Sequence, residues 1–376
     1  MKKTISVKIG GVKIGGGAPI AVQSMTDTDT ADAKKTAAQI LFLEKAGAEI
    51  VRISVDRPAS AAAIPRIFEI VRQKSKIPIV GDFHFSGHLL LEKFPDAARL
   101  LDKFRINPGN LGKKNRDENF EKILKIAAKF QKPIRIGGNS GSIDREILAE
   151  KRDKNRGKPS TEILADALAE SVLRSEKFAR KFLPAEKIVL SAKMSDFAGV
   201  FFVNKKIAQK SRAPLHIGLT EAGGGLSGIC KSAAAIGALF SQKIGDTIRV
   251  SITPQKNESK SREIEIAREI LQSVGARRFF PEIISCPACG RAAADFLKFA
   301  ENLSQKIRRE KNFPPLKIAI LGCVVNGPGE AENADIGIFF PGRGEQKIVV
   351  FFRGKKIGLF EKNHFFEKFQ KIVADF

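Results

Sequence analysis

Pro133-Ile134-Arg135-Ile136-Gly137-Gly138-Asn139-Ser140-Gly141-Ser142 is the stretch on which the fold turns. A short aliphatic run carries one arginine, breaks into a Gly/Ser turn and leads toward a helical pattern, with Ser142 as the candidate N-cap. Units of this kind recur on both sides. Aliphatic runs at 20–24, 49–53, 78–82, 103–106, 133–136, 187–191, 214–218 and 246–251 alternate with amphipathic patterns such as 36–46, 64–74, 118–130, 161–182 and 231–239. Eight strands alternating with helices predict an α/β chain folded as a (β/α)8 TIM barrel. The alternative, an open doubly wound sheet, lacks a G-x-G-x-x-G turn after its first strand. The polar stretches 150–160 and 254–261 read as surface loops. A helical pattern at 262–274 closes the barrel, which sets a domain of 1–274.

Arginine recurs inside the strands: Val51-Arg52-Ile53, Phe104-Arg105-Ile106, Ile134-Arg135-Ile136 and Ile248-Arg249-Val250. One such arginine is an ordinary buried ion pair. Four on four strands are too many for that, because a buried charge is costly unless paired or solvated. Just beyond them stand Asn107, Asn139 and Ser251, and other strands end at Asp82 with His84, at Lys193, and at Thr220 with Glu221. Barrel enzymes keep their sites at the C-terminal ends of the strands. Cations and donors gathered there imply a polyanion, and arginine forks suit phosphate oxygens. The glycine-rich turns 138–142 and 221–228, after the fifth and seventh strands, present backbone N–H groups to such a ligand. Alone, each is also an ordinary loop.

The remaining 275–376 reads as a smaller α+β module: strands at 279–285, 316–321 and 335–340, a hairpin of 347–352 with 356–360, and helices at 292–309 and 361–373. It holds three of the four cysteines. Cys286 and Cys289 form a C-x-x-C turn, and Cys323 follows beside a Gly/Pro turn that ends in Glu330. Three thiolates suit zinc or an iron–sulfur cluster. A glutamate as the nearest fourth ligand is a hard oxygen in a soft site, which suggests a position that opens to substrate. A structural zinc knuckle with an incidental glutamate fits the same residues.

Composition sets the outer limits. Of the 376 residues, 43% are hydrophobic, enough for a sizeable core, and no run approaches the length of a membrane span. No apolar segment of signal-peptide type follows the basic start, and clustered cysteines favour a reducing compartment, so a cytoplasmic location is expected. The formal charge of +24 fits nucleic acid, a membrane surface or an acidic ligand, and a lysine-rich solvated surface accounts for it equally well. The chain has 28 Phe and no Tyr or Trp, which excludes a catalytic tyrosine and leaves base stacking to Phe alone. A zinc-containing basic nucleic-acid-binding protein is therefore one alternative. A barrel transferase of the dihydropteroate-synthase type is another, but it gives the cysteine module no task. Cys230 reads as a buried helix thiol. His88, His216 and His364 read as structural, Asp27 and Asp29 as an N-cap region, and the terminal phenylalanines as core.

The chain resembles the 4-hydroxy-3-methylbut-2-enyl diphosphate synthase family, iron–sulfur reductases of the non-mevalonate isoprenoid pathway. The resemblance rests on Val22-Gln23-Ser24-Met25-Thr26, Phe104-Arg105-Ile106-Asn107-Pro108-Gly109-Asn110, residues 135–142, His216-Ile217-Gly218-Leu219-Thr220-Glu221-Ala222-Gly223 and Gly245-Asp246-Thr247-Ile248-Arg249-Val250-Ser251. It continues through Cys286-Pro287-Ala288-Cys289-Gly290-Arg291 and Gly322-Cys323-Val324-Val325-Asn326-Gly327-Pro328-Gly329-Glu330-Ala331, the most specific of the strings. It implies a 4Fe–4S cluster on Cys286, Cys289 and Cys323 with Glu330 on the remaining iron. It implies 2-C-methyl-D-erythritol 2,4-cyclodiphosphate as substrate, opened reductively with loss of water, and flavodoxin or ferredoxin as electron donor. It further implies a homodimer in which the barrel of one subunit faces the cluster domain of the other, with no nucleic acid and no membrane involved. The cyclic diphosphate would lie against Arg52, Arg105, Arg135, Asn139, Lys193, Arg249, Ser251 and His84. Glu221 and Asp82 are the candidates for proton handling, with Glu330 yielding its iron to substrate.

Overall fold

The computed structural model describes residues 3–112, 115–157, 159–310, 313–342 and 344–374. The chain divides into two units, Met1–Arg277 and Arg278–Phe376.

The first unit is a barrel. Its strands are β1 Ala21–Met25, β2 Ile50–Val55, β3 Ile79–Phe83, β4 Lys103–Ile106, β5 Ile134–Asn139, β6 Ile188–Lys193, β7 His216–Ile217 and β8 Thr247–Ile248. All neighbours are parallel in the order β6-β5-β4-β3-β2-β1-β8-β7. A single bridge, Leu190 with Leu215, joins β6 to β7 and closes the circle; the Leu190 N–H donates to the Pro214 carbonyl at 2.9 Å. The alternating-element pattern thus yields the barrel, with β7 and β8 shorter than expected.

Strand alternation separates two faces. Val51, Ile53, Ile79, Phe104, Ile106, Ile134, Ile136, Ile188 and Leu190 are buried and face the helices. A Cβ on Gly138 would meet Leu168 and Val172 of helix Ser160–Ala179, which fixes the outward direction of that position. The intervening residues face inward. A Cβ on Gly137 would lie 3.1 Å from Arg105 Nε and 3.0 Å from Ser191 Oγ. The outward aliphatics supply the stability, roughly 1.5–3 kcal/mol for each large side chain buried.

Sequence reading missed a hairpin, Val7–Ile9 paired with Val12–Ile14, ahead of the barrel. Val7, Ile9 and Ile14 pack with Ala21, Ile50, Val80 and Val189 in one apolar cluster. These last four lie at or near the starts of β1, β2, β3 and β6, so the hairpin plugs the barrel's N-terminal end. Three local expectations are corrected. Helix Arg145–Lys154 occupies 150–154 of the segment read as a loop at 150–160, where Lys158 lies outside the described residues. Its cap is Asp144, which accepts from the Glu146 and Ile147 N–H groups, rather than Ser142. Cys230 is exposed, not buried, because helix Gly225–Ser241 turns other residues to the core.

The second unit is a mixed sheet of β9 Glu282–Ser285, β10 Lys317–Leu321, β11 Ile336–Phe339, β12 Lys347–Phe352 and β13 Lys355–Glu361, in sequence order. The first three strands are parallel and the last two pairings antiparallel. Helices Phe296–Arg309 and Phe365–Ala374 cover one face, with Phe296, Leu303, Phe340, Phe365 and Phe369 in the core. Of the terminal phenylalanines read as core, Phe365 and Phe369 are buried, Phe366 packs against them partly buried, and Phe376 lies outside the described residues. Helix Gly327–Glu332 covers the other face through Ala331, which lies so close to Gly337 that a Cβ there would sit 2.3 Å from the Ala331 Cβ.

Candidate active site

The inward face of the barrel is polar and carries an excess of cations. Arg52, Lys103, Arg105, Arg135 and Lys193 are buried, and Arg249 has 11% of its side chain exposed. Against these six stand two buried carboxylates, Asp82 and Glu263. Asp82 is the hub. Its Oδ1 accepts from Arg105 Nη1 at 2.9 Å, and its Oδ2 lies 3.6 Å from Arg52 Nε and 3.4 Å from His84 Nε2. Arg105 Nη1 also lies 2.7 Å from His84 Nε2. Burial pushes the Asp82 carboxyl up, but Arg52 and Arg105 outweigh it and hold it well below the usual carboxylate range. Burial pushes Arg52 down to about 9, with Asp82 opposing. Arg249 reaches Glu263 at only 3.9 Å, and Glu263 also accepts from Lys260 at 2.9 Å and from the Ile252 N–H at 3.3 Å.

Several of these groups have no partner. The Nε and Nη1 of Arg135, the Nε of Arg105 and of Arg249, and the Nζ of Lys103 are buried without a hydrogen bond. So are both amide atoms of Gln23 and the Nε2 of His216, whose Nδ1 lies 2.7 Å from Thr247 Oγ1. Burial, followed by neighbouring cations, drives Arg135, Lys103, Lys193 and His216 well below their ordinary values. An unpaired buried polar group costs about 1–3 kcal/mol, and more when charged. Orphaned donors in such number, around an interior with cations in excess, have the chemistry to bind an anion.

Asn107, Asn139 and Ser251 lie at the strand ends as read. Asn107 is buried, and its Nδ2 donates to Ser142 Oγ at 2.9 Å. Asn139 pairs in register with Lys193. Ser251 is half-buried just past β8. Glu221 is exposed, in a left-handed conformation with φ of 52°. The structure does not join it to the Asp82 network.

In the second unit, Cys286 follows β9 and Cys323 lies two residues past β10, at the same end of adjacent parallel strands. The Gly322 N–H donates to Cys286 Sγ at 3.3 Å. Ala288, with φ of 57°, turns the chain between Cys286 and Cys289. The Arg291 backbone N–H lowers the Cys289 thiol. Glu330 is exposed on helix Gly327–Glu332. Among the described residues, no three His, Cys, Asp or Glu side chains converge in metal-binding geometry. The donor set nevertheless suits a soft metal centre: three thiols and a carboxylate on segments that leave one end of one sheet.

Two family comparisons bear on both units. The GcpE TIM-barrel domain matches residues 4–268, and the GcpE protein C-terminal domain matches 282–375. This is the family of 4-hydroxy-3-methylbut-2-enyl diphosphate synthase. The chain belongs to it. Among solved structures, a dihydropteroate synthase from Coxiella burnetii in complex with pteroic acid is 10% identical, with 74% of this chain and 100% of that one covered and a TM-score of 0.48. One from Stenotrophomonas maltophilia with bound imidazole is 14% identical, covering 73% and 100%, with a TM-score of 0.48. A phospho-2-dehydro-3-deoxyheptonate aldolase from Thermotoga maritima is 15% identical, covering 73% of each chain, with a TM-score of 0.43.

In this member of the GcpE family, the barrel brings Arg52, Asp82, His84, Arg105, Arg135, Lys193 and Arg249 to one interior. The sequence reading passed over Gln23, Lys103 and Glu263 and took His216 as structural. Lys103 carried a usable signal: it stands two residues before Arg105 in one strand, which places both on the same face. Glu263 opens a helix read only as closing the barrel, and nothing local marked its carboxylate as inward.

Proposed function

We propose that the protein catalyses the reductive ring opening and dehydroxylation of 2-C-methyl-D-erythritol 2,4-cyclodiphosphate to 4-hydroxy-3-methylbut-2-enyl diphosphate. The observation that carries this reading is the barrel interior, where six cations face two carboxylates and several donors lack partners. A cyclic diphosphate supplies the missing negative charge. Arg52, Arg105, Arg135, Lys193 and Arg249 bind the phosphate oxygens, and Asn139, Ser251 and His84 orient the ring at the strand ends. Asp82, held ionised between two guanidiniums, orients Arg52, Arg105 and His84. It is a poor proton donor, so proton delivery to the departing hydroxyl falls to Glu221 or a neighbouring group. The overall step consumes two electrons and one proton, opens the ring and releases water.

Cys286, Cys289 and Cys323 would hold a 4Fe–4S cluster, with Glu330 on the remaining iron. Bound there, the cluster supplies single electrons and a Lewis-acidic iron for a substrate oxygen. Glu330 would hold that iron in the substrate-free protein. Flavodoxin or ferredoxin would deliver the electrons, aided by a chain of formal charge +24. A homodimer pairing the barrel of one subunit with the cluster unit of the other would bring the two halves of the chemistry together, in a reducing cytoplasm. No helix among the described residues is long and apolar enough to cross a membrane.

Anaerobic purification tests the reading. A brown protein with about four irons per chain is expected, reducing the cyclic diphosphate with an artificial one-electron donor. Colourless protein with stoichiometric zinc would overturn it. Glu330→Ala should keep iron and substrate affinity while losing turnover, and full activity would remove Glu330 from its role.

A further inference from the structure

Lys103 is fully buried, at 0% exposure, in a strand that holds Arg105 two residues later on the same face. Its cross-strand partner is Val80, a member of the apolar cluster that seals the barrel's N-terminal end. Arg105 pairs with Arg135. Lys103 therefore sits one inward position nearer the sealed floor than Arg105, in the row that Val80 shares with Arg52. A structural lysine extends its stem and reaches water, or it pairs with a carboxylate. Lys103 does neither, because its Nζ has no hydrogen-bond partner. The charged groups that act on it are Arg135 and Arg52, both cations, with burial the larger influence. Neither Asp82 nor Glu263 is among them. Gln23 is in register with Ile50 of that cluster, and His216 with Thr247, itself in register with Ala21 of the cluster; Gln23 and the Nε2 of His216 are also unpartnered.

A buried cation among cations, without a counter-charge, destabilises the ligand-free fold. A methionine of similar length in its place would be more favourable for folding. Groups that lower stability in this way are characteristic of binding sites.

We infer that Lys103 is a sixth cation of the barrel's anion cradle, held without a protein partner on its floor so that a bound diphosphate completes its coordination. The inference rests on the reading of the barrel as a diphosphate site. Gln23 and His216 are the neutral donors that share the phosphate oxygens with it.

The experiment compares cluster-loaded wild type with Lys103→Met. Each is titrated calorimetrically with inorganic pyrophosphate and with the cyclic diphosphate, and each is melted with and without them. Lys103→Met is expected to melt higher without ligand, by about 2 °C or more. Its affinity for both ligands should fall roughly tenfold or more, and its ligand-induced rise in melting temperature should shrink. A structural lysine would show the opposite sign in the ligand-free melt. A lower melting temperature, a failure to fold or an unchanged affinity overturns the inference. If wild type binds pyrophosphate but not the cyclic diphosphate, the proposed substrate is wrong while Lys103 is still tested. If it binds neither, both readings fall.

Discussion

Arg135 and Cys289 mark the two extremes of this molecule. Arg135 is 1% exposed on a central barrel strand, flanked in register by Arg105 and Val189. Cys289 is exposed in a turn just beyond a strand of the second unit. The barrel builds its charge constellation by folding, because the register of parallel strands sets which side chains meet and the outward aliphatics supply the energy. The thiol end brings its donors to one end of a sheet and, on the proposed reading, would leave their final approach to a bound cluster, as metal sites commonly do. The two regions should therefore respond differently to substitution. Barrel changes should alter the melting of the ligand-free protein, whereas thiol changes should alter only what the metal stabilises.

The largest test of that contrast is Cys323→Ser. It should abolish iron loading and turnover, measured by iron content and by reduction of the cyclic diphosphate, and leave the calorimetric affinity for inorganic pyrophosphate at the wild-type value. A parallel loss of pyrophosphate affinity would show that the barrel is not an independent binding unit. Next is Asp82→Asn, which removes the carboxylate from between Arg52 and Arg105. Breaking a buried pair from one side costs about 3–5 kcal/mol, so the barrel should melt roughly 10 °C lower with iron content unchanged. Added pyrophosphate should recover part of the loss by returning negative charge to the same guanidiniums. A melting temperature equal to wild type would mean that the cations are not held by Asp82.

The difference between the regions also governs what could be read from the chain alone. Period-two and period-3.6 patterns gave the alternation of strands and helices, and arginines inside aliphatic runs pointed to a charged interior, where the structure buries them. Strand pairing could not be read, and with it went the charge pairing. Nothing local to Asp82 shows that it lies between two guanidiniums, because both come from the adjacent strands β2 and β4. Glu263 was missed for the same reason, since Arg249 lies on a different element. The hairpin plug was invisible because its strands, three residues each, are too short for periodicity to register. The cysteine spacing showed a soft-metal donor set, and the family strings went further than the residues themselves could.

The smallest effect sharpens the contrast within the barrel. Ser142, read as a helix cap, instead ties two strand-end loops together. Its Oγ accepts from Asn107 Nδ2 at 2.9 Å and from the Asn139 N–H at 3.2 Å, and donates to the Asn139 carbonyl at 3.0 Å. The Ser142 carbonyl also lies against the second loop, where a Cβ on Gly109 would come within 2.3 Å of it. Ser142→Ala removes the hydroxyl and leaves the amide of the buried Asn107 without its acceptor, at a cost of about 1–3 kcal/mol. The barrel should then melt a few degrees lower, about 2–4 °C for each kcal/mol. Because Asn139 ends β5 opposite Lys193, diphosphate affinity should weaken as well, while iron content stays at the wild-type level. Unchanged affinity with a lower melting temperature would confine the Ser142 link to stability and remove Asn139 from the binding surface.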